Sequence, residues 1–287
     1  MQKRNVLNSS RLLELKRHRK KVVINKFIFF LLGLCVLFVL AVYISHLSAL
    51  NINNIEISGN QVVDTDAIKT VIEQQISGKY FLLFPKTNVF FYPKNSIVES
   101  LQNNFKIFKD INISIKNTKT LEVSLTERKA LYTWCGLVPP TSGPNNCYFV
   151  DQDGYIFDEA PYFSGEVYFK FYGTPDGNLK SSDPSGLYFS QPYFQQLVSF
   201  RDMLVSLGLN PVSLYVTDDG DVQVFLSSGN TTSSGPEILL KLNADYENVA
   251  ENLEAALTTE PLQSEFKNKY STLQYIDLRF GNKVYFK

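Results

Sequence analysis

The sequence predicts an α+β protein in which one N-terminal transmembrane helix is followed by two small domains. Three observations support this class. A segment of 21 residues, 27–47, contains no Asp, Glu, Lys or Arg. Strand and helix patterns then follow in the order β-α-α-β-β, which makes a compact module with helices on one face of a sheet, and a longer strand-rich portion comes next. The last residues, "YIDLRFGNKVYFK", place apolar side chains at alternate positions, as in a β-strand with one buried face.

The apolar segment 27–47 is long enough to cross the hydrocarbon core of a membrane, which takes about 20 helical residues. A cleaved signal peptide has a shorter apolar region and a better cleavage site than "SHLSAL", and a buried globular helix is the other alternative. We therefore expect a retained transmembrane helix over residues 27–48.

Charge sets the expected orientation of that helix. Residues 1–26 contain nine Lys or Arg and a single acid, Glu14, so the remaining 19 basic and 27 acidic residues carry a net charge of about −8. Basic flanks stay in the cytoplasm. We expect residues 1–26 to be a basic, mostly disordered cytoplasmic tail near membrane lipid, with residues 49–287 on the outer side of the membrane. Topology explains this tail better than nucleic-acid binding.

The first exported domain is expected over residues 49–128. Its apolar spacing predicts, in order, a strand near 52–57, a helix from Asp64 or Thr65 to Gly78, a helix after Pro93, and strands over 109–117 and 120–128. Together they form the compact β-α-α-β-β module.

The second domain, residues 129–287, is expected to be mainly antiparallel β-structure with two or three helices. "SLYVTDDGDVQVFLS" predicts a hairpin around Asp219-Gly220, which is a strong turn signal. One helix pattern ends at Gly208 and another begins at Asp245.

Two cysteines of the second domain, Cys135 and Cys147, flank a loop rich in Pro, Gly and Asn. Outside the cell such a pair favours a disulfide, with two unpaired residues as the alternative. Two Cys without a neighbouring His or acid supply too few ligands for a metal. Cys35 lies within the apolar segment.

The inventory of reactive side chains favours a binding protein over an enzyme. The only histidines are His18 and His46, so the exported portion beyond them has no His general base and no His-ligated zinc. "DQDG" at 151–154 lacks the further ligands of a calcium loop and predicts a β-turn. A glycosidase-like carboxylate pair stays open, although no pair stands out. We expect no cofactor, no metal and no small-molecule substrate.

Four segments carry a resemblance to a known family. They are "INNIEISGNQVVDTDAI" after the apolar segment, "TLEVSLTERKALYTW" with Glu127-Arg128, "YFVDQDGYIF" with Phe149, Val150, Asp151 and Gly154, and "YIDLRFGNKVYF" with Ile276, Asp277, Leu278 and Arg279. In this order they resemble the FtsQ/DivIB family of bacterial cell-division (divisome) proteins, whose exported portion begins with a POTRA domain. The resemblance covers nearly all of residues 49–287, but from about 160 to 240 it is general in character only.

The resemblance implies a non-enzymatic, single-pass scaffold of the cytoplasmic membrane that gathers at the division septum. Proteins of this family bind FtsB- (or DivIC-) like and FtsL-like partners outside the membrane and help control septal peptidoglycan synthesis. Their POTRA domain, here 49–128, contributes to recruitment and other division contacts. The last strand of their β-domain, here 129–287, carries the FtsB-type contact.

The closing hairpin is the expected partner-binding site. A strand that closes the chain is expected at a sheet edge, where its unpaired backbone groups offer a template for a partner's strand. The expected site residues are Arg279, Phe280, Gly281, Asn282, Lys283, Val284, Tyr285 and Phe286. A hairpin that only closes the core, without a partner, is the structural alternative.

The register of this hairpin is expected from face alternation. A three-residue loop, 281–283, would set Phe280 opposite Val284 and Leu278 opposite Phe286 on the core face. The same register would set Arg279 by Tyr285 and Asp277 by Lys287 on the outer face.

Two other function classes compete with the scaffold. An anchored cell-wall hydrolase would use a carboxylate pair. An export or assembly component would also carry a POTRA domain, but such proteins continue into a long β-barrel.

Overall fold

The computed structural model describes residues 10–140, 146–177, 183–227, 235–268, 270 and 273–287. The protein is a mixed α+β chain that divides into two compact units. The first comprises Met1–Asn104 with Asp110–Thr126, and the second comprises Phe105–Lys109 with Glu127–Lys287.

The N-terminal helix of the first unit, α1, runs over Ser10–Ser45, and its portion from Glu14 is long and apolar enough to cross a membrane. The expectation of a mostly disordered tail is wrong for residues 10–26, which continue this helix. Those residues contain no Gly or Pro and are rich in Leu, Lys and Arg, which favour helix. Extending an existing helix also avoids the cost of nucleation.

The rest of the first unit has the predicted order of strands and helices, with one addition. Its elements are β1 Asn54–Ser58, α2 Thr65–Ile76, β2 Lys79–Tyr80, β3 Phe84–Pro85, α3 Lys94–Asn104, β4 Phe108–Lys116 and β5 Thr120–Glu127. The short β2–β3 hairpin between the two helices was not predicted. The main sheet has the order β1-β5-β4, with β1 parallel to β5.

Helices α2 and α3 contribute apolar stripes to the core of the first unit. Ile68, Ile72, Ile97 and Leu101 on these helices are fully buried, as are Ile113 and Leu121 on β4 and β5. The helical spacing predicted for the apolar residues of α2 and α3 is therefore confirmed. Gly78 follows α2 with φ +84°, a left-handed conformation that suits glycine after a helix end.

In the part of the second unit that the structure describes, three helices accompany a nine-stranded sheet. Its elements are β6 Tyr132–Trp134, β7 Cys147–Val150, β8 Ile156–Ala160, β9 Lys170–Tyr172, α4 Phe194–Ser206, β10 Pro211–Val216, β11 Asp221–Leu226, β12 Glu237–Lys241, α5 Tyr246–Leu257, α6 Leu262–Asn268, β13 Tyr275–Phe280 and β14 Lys283–Phe286. The strand order is β14-β13-β12-β11-β10-β9-β6-β7-β8. Five of the neighbouring pairs are antiparallel and three are parallel, so the sheet is mainly antiparallel.

Several of these elements lie where local sequence signals predicted them. The turn at Asp219-Gly220 joins the antiparallel strands β10 and β11. Asp245 caps α5, because its side chain accepts hydrogen bonds from the backbone N–H groups of Glu247 and Asn248. One large apolar cluster, in which Phe171, Phe189 and Phe194 are fully buried, forms the core of this unit.

A disulfide joins Cys135, just after β6, to Cys147 at the start of β7. Residues 141–145 of the intervening loop lie outside the described residues. Cys35 is a free, exposed thiol on α1.

Candidate partner-binding edge

The C-terminal hairpin of β13 and β14 forms one end of the nine-stranded sheet. β13 pairs with β12 in parallel on one side and with β14 in antiparallel fashion on the other. β14 is the terminal strand of the sheet order, and among the described residues no strand pairs with its outer side. Helix α5 packs against β14 from one face of the sheet.

The register of the hairpin differs from the expected one. The turn has two residues, Gly281 and Asn282, so that Phe280 pairs with Lys283. A bulge between Asp277 and Phe280 then adds one residue to β13. Beyond the bulge, Tyr285 stands opposite Asp277.

Turn chemistry and the bulge together explain the wrong prediction. Gly281 has φ +63°, which suits the first position of a two-residue hairpin turn. A two-residue turn alone would have mixed apolar and charged side chains on each face. The extra residue of the bulge restores the alternation, since it shifts the pairing by one position on one strand only. As a result, Phe286 stands opposite Ile276 rather than Leu278.

The apolar side chains of the hairpin separate into two groups. Val284 and Phe286 pack against the core, to which Ile276 and Leu278 also belong. Phe280, expected on the core face, is instead 57% exposed. Its ring lies 5.5 Å from that of Tyr285, which is 49% exposed, in an edge-to-face arrangement.

The backbone hydrogen bonds of Lys287 show which groups of β14 face outwards. Its N–H donates to the carbonyl of Tyr275 over 3.2 Å, and its carbonyl accepts from the N–H of Gln274 over 2.6 Å. Inward and outward residues alternate along an antiparallel strand. The N–H and C=O groups of Val284 and Phe286 therefore point away from β13, towards the open edge.

A charged network covers the strands behind this edge. Arg279 Nη2 donates to Asp277 over 2.6 Å, and Nη1 donates to Asp221 on β11 over the same distance. Lys241 on β12 also donates to Asp221. Asp277 was expected beside Lys287, but it stands opposite Tyr285 and is buried and paired with Arg279.

The network holds its carboxylates in the ionised state. A hydrogen bond from Lys241 lowers the pKa of Asp221; burial opposes this, and Arg279 adds to the lowering. Burial acts to raise the pKa of Asp277, but hydrogen bonds and charge from Arg279 outweigh it, so that this pKa is also lowered. The same two carboxylates raise the pKa of Arg279. Arg279 therefore stabilises the folded hairpin in the absence of a partner.

Two landmarks of the family resemblance meet in the second unit. Arg128 Nη1 forms an ion pair with Asp151, and the side chains are only 10% and 3% exposed. The guanidinium also lies 3.8 Å from the centre of the Tyr155 ring. The other carboxylate oxygen of Asp151 accepts the backbone N–H groups of Asp153 and Tyr155. The N–H of Gly154 donates to the carbonyl of Asp151 over 3.2 Å, which confirms the predicted β-turn at 151–154.

Gly154 closes that turn with φ +81°. A Cβ at this position would come within 2.8 Å of the Phe194 ring, so both the conformation and the packing favour glycine. Within the described part of the chain, no group of three or more His, Cys, Asp or Glu is arranged to hold a metal ion.

Comparison of the chain with models of known protein families finds no match, and comparison with curated protein sequences finds none either.

Proposed function

We propose that this protein is a membrane-anchored, non-enzymatic scaffold of the bacterial cell-division machinery. In this proposal it binds FtsB/DivIC-like and FtsL-like partners by β-strand addition at β14 and so helps to control septal peptidoglycan synthesis. The ordered resemblance to the FtsQ/DivIB family supports the biological setting.

The observation that carries the proposal is the open outer side of β14. The outward N–H and C=O groups of Val284 and Phe286 offer a partner strand four backbone hydrogen-bonding groups. The exposed rings of Phe280 and Tyr285 lie beside them, and aromatic side chains are enriched among interface residues that contribute most to affinity. The edge therefore combines a general template with side chains that select the partner.

Other features of the chain support the anchored arrangement. Helix α1 would cross the cytoplasmic membrane with its basic N-terminal part inside, because Lys and Arg are retained there. The β-α-α-β-β order of the first unit is the one that a POTRA domain has, and in the proposal this domain makes further division contacts at the septum.

The charged network is poorly suited to the competing hydrolase. Asp221 and Asp277 are a carboxylate pair close to the surface, but Arg279 bridges them and both pKa values are lowered. A general acid for glycoside cleavage needs a raised pKa instead. Zymography on peptidoglycan tests this point directly, and a cleared band would contradict the scaffold.

Binding of the full chain to partner ectodomains tests the proposed function. The protein, reconstituted in lipid nanodiscs, should capture FtsB- and FtsL-like ectodomains from the same organism. Phe280→Ala and Tyr285→Ala should each weaken capture by about tenfold, because truncating a central interface aromatic costs more than about 1 kcal/mol.

A matched control lies at the other end of the same sheet. Tyr162, 93% exposed, follows β8, so Tyr162→Ala should leave capture unchanged. Deletion of residues 283–287 should abolish it. Equal capture by all four variants would show that β14 is not the site.

A further inference from the structure

The segment between α2 and α3 in the first unit exposes an unusual set of large apolar side chains. Phe81 and Leu82 at the tip of the β2–β3 hairpin are 91% and 88% exposed, and Phe90 is 75% exposed. Leu83 and Phe91 are also exposed. Large contiguous apolar surfaces on a protein mark a contact with a partner or a membrane.

This segment, residues 80–91, is fastened to the end of α1. The N–H of Val89 donates to the carbonyl of Leu50 over 3.0 Å, and Asn88 Nδ2 donates to the carbonyl of Ser45 over 3.1 Å. Asn88 is almost fully buried. The segment therefore cannot move away from the helix without breaking buried hydrogen bonds.

One ring contact shows how far along α1 the segment reaches. The ring centres of Phe84 and Phe38 lie 6.0 Å apart in an edge-to-face arrangement. Phe38 precedes Ser45, the last residue of α1, by about 10 Å along the helix axis at 1.5 Å per residue. The segment thus lies beside the apolar portion of α1, and not beyond its end.

Polar groups lie near the C-terminal end of α1. Lys79 Nζ is 3.4 Å from Nε2 of His46, the residue that follows α1. Lys86 Nζ lies 5.7 Å from the centre of the Tyr80 ring. Lys and Tyr are typical of the headgroup region, where a long stem or a ring remains apolar and the tip is hydrated.

The backbone of the segment suits a position with little water. The N–H groups of Leu83 and Phe91 donate to the carbonyls of Tyr80 and Asn88, and that of Phe90 donates to the Asn88 side chain. Phe81 and Leu82 adopt φ +49° and +64°, a conformation that water-exposed turns normally give to Gly or Asn. The internally paired N–H groups of Leu83, Phe90 and Phe91 and the apolar residues at the tip are both expected at a lipid boundary.

We propose that residues 80–91 form a second membrane contact, which inserts Phe81, Leu82 and Phe90 into the outer leaflet beside α1. The insertion is shallow, about 5–10 Å below the headgroups, as for other interfacial apolar elements. The contact rests on the proposed crossing of the membrane by α1. It would give the first unit a second point of attachment to the membrane besides α1, and two points fix its orientation on the membrane surface.

Tryptophan fluorescence in vesicles tests this contact. The full-length Phe81→Trp variant is reconstituted in phosphatidylcholine vesicles. The parent protein, whose single tryptophan is the buried Trp134, gives the background emission. Acyl chains brominated near the headgroup should quench most of the added emission, and aqueous iodide should quench little of it.

Val62→Trp provides the matched control on the same unit. Val62 is 74% exposed. It follows β1, a strand of five residues that is about 16 Å long. Its indole should be quenched by iodide and not by brominated lipid.

The possible results separate this inference from the anchorage on which it rests. If the full chain fails to float with vesicles, both the anchorage and the contact are wrong. If it floats but the Phe81→Trp emission is quenched by iodide alone, only the lipid contact is wrong. Emission that neither quencher reaches would also overturn the contact, since it would show a protein cover, such as a second copy of α1.

Discussion

Arg279 and Asp277 form an ion pair within one strand, across the bulge that sets the register of the last hairpin. Two of the guanidinium nitrogens donate to the two carboxylate oxygens, over 2.9 Å and 2.6 Å. Because Asp277 is 5% exposed, this carboxylate depends on Arg279 for its charge compensation. The pair thus couples the stability of the candidate edge to pH.

Acid should weaken the second unit through this network. The pKa values of Asp221 and Asp277 are lowered by folding, so their stabilisation is complete above the unfolded value of about 4 and is lost as pH falls through the folded values. Urea unfolding of the detergent-solubilised protein, followed by Trp134 fluorescence, should show this loss. In Arg279→Met, the rise of the free energy of unfolding with pH should flatten or invert, because burial then raises the pKa of Asp277. An unchanged slope would contradict the role of Arg279.

The ion pair of Arg128 and Asp151 should contribute more to stability than its exposed neighbour. Removing one partner of a buried pair leaves an uncompensated charge, so Arg128→Ala should lower the free energy of unfolding by about 3 kcal/mol. Lys109 forms a partly exposed ion pair with Asp153 of the same turn. Lys109→Ala should therefore cost much less than Arg128→Ala, because solvent screens an exposed pair. Equal costs for the two variants, measured by urea unfolding, would refute this ranking.

The disulfide should stabilise the second unit. Closing a loop with a sequence separation of 12 contributes about 3 kcal/mol in the chain-entropy description. The double variant Cys135→Ser/Cys147→Ser should lose about that amount, while Cys35→Ser should retain the parent stability. Thiol labelling of the unreduced, denatured protein should modify Cys35 alone. Labelling of all three cysteines would disprove the bond in the isolated protein.

Periodicity and turn residues are sufficient to predict many elements because their causes are local. Alternating apolar residues identify β4, and the Asp219-Gly220 turn identifies the hairpin of β10 and β11. The helix that begins after Asp245 follows from its capping side chain. In each case the deciding contacts lie within a few positions along the chain.

The details of the candidate site depend on residues that are distant in sequence. Arg279 donates to Asp221, which is 58 positions away in the sequence, and no local pattern predicts that pair. The bulge in β13 breaks the regular alternation, so a register deduced from alternation alone misplaced Phe280. The β2–β3 hairpin was missed because two-residue strands carry no measurable period.

A single backbone N–H should decide whether β14 accepts a partner strand. The N–H of Val284 points to the open edge, and proline is tolerated on an edge strand where the N–H faces outwards. Val284→Pro should therefore keep the parent's unfolding transition and lose capture of the FtsB-like ectodomain by tenfold or more, about 1.4 kcal/mol. Val284→Ala removes similar core packing but keeps the N–H, so it should capture the ectodomain like the parent protein. If the two variants capture it equally, the partner does not extend the sheet, and the exposed pair of Phe280 and Tyr285 must be tested as a side-chain site instead.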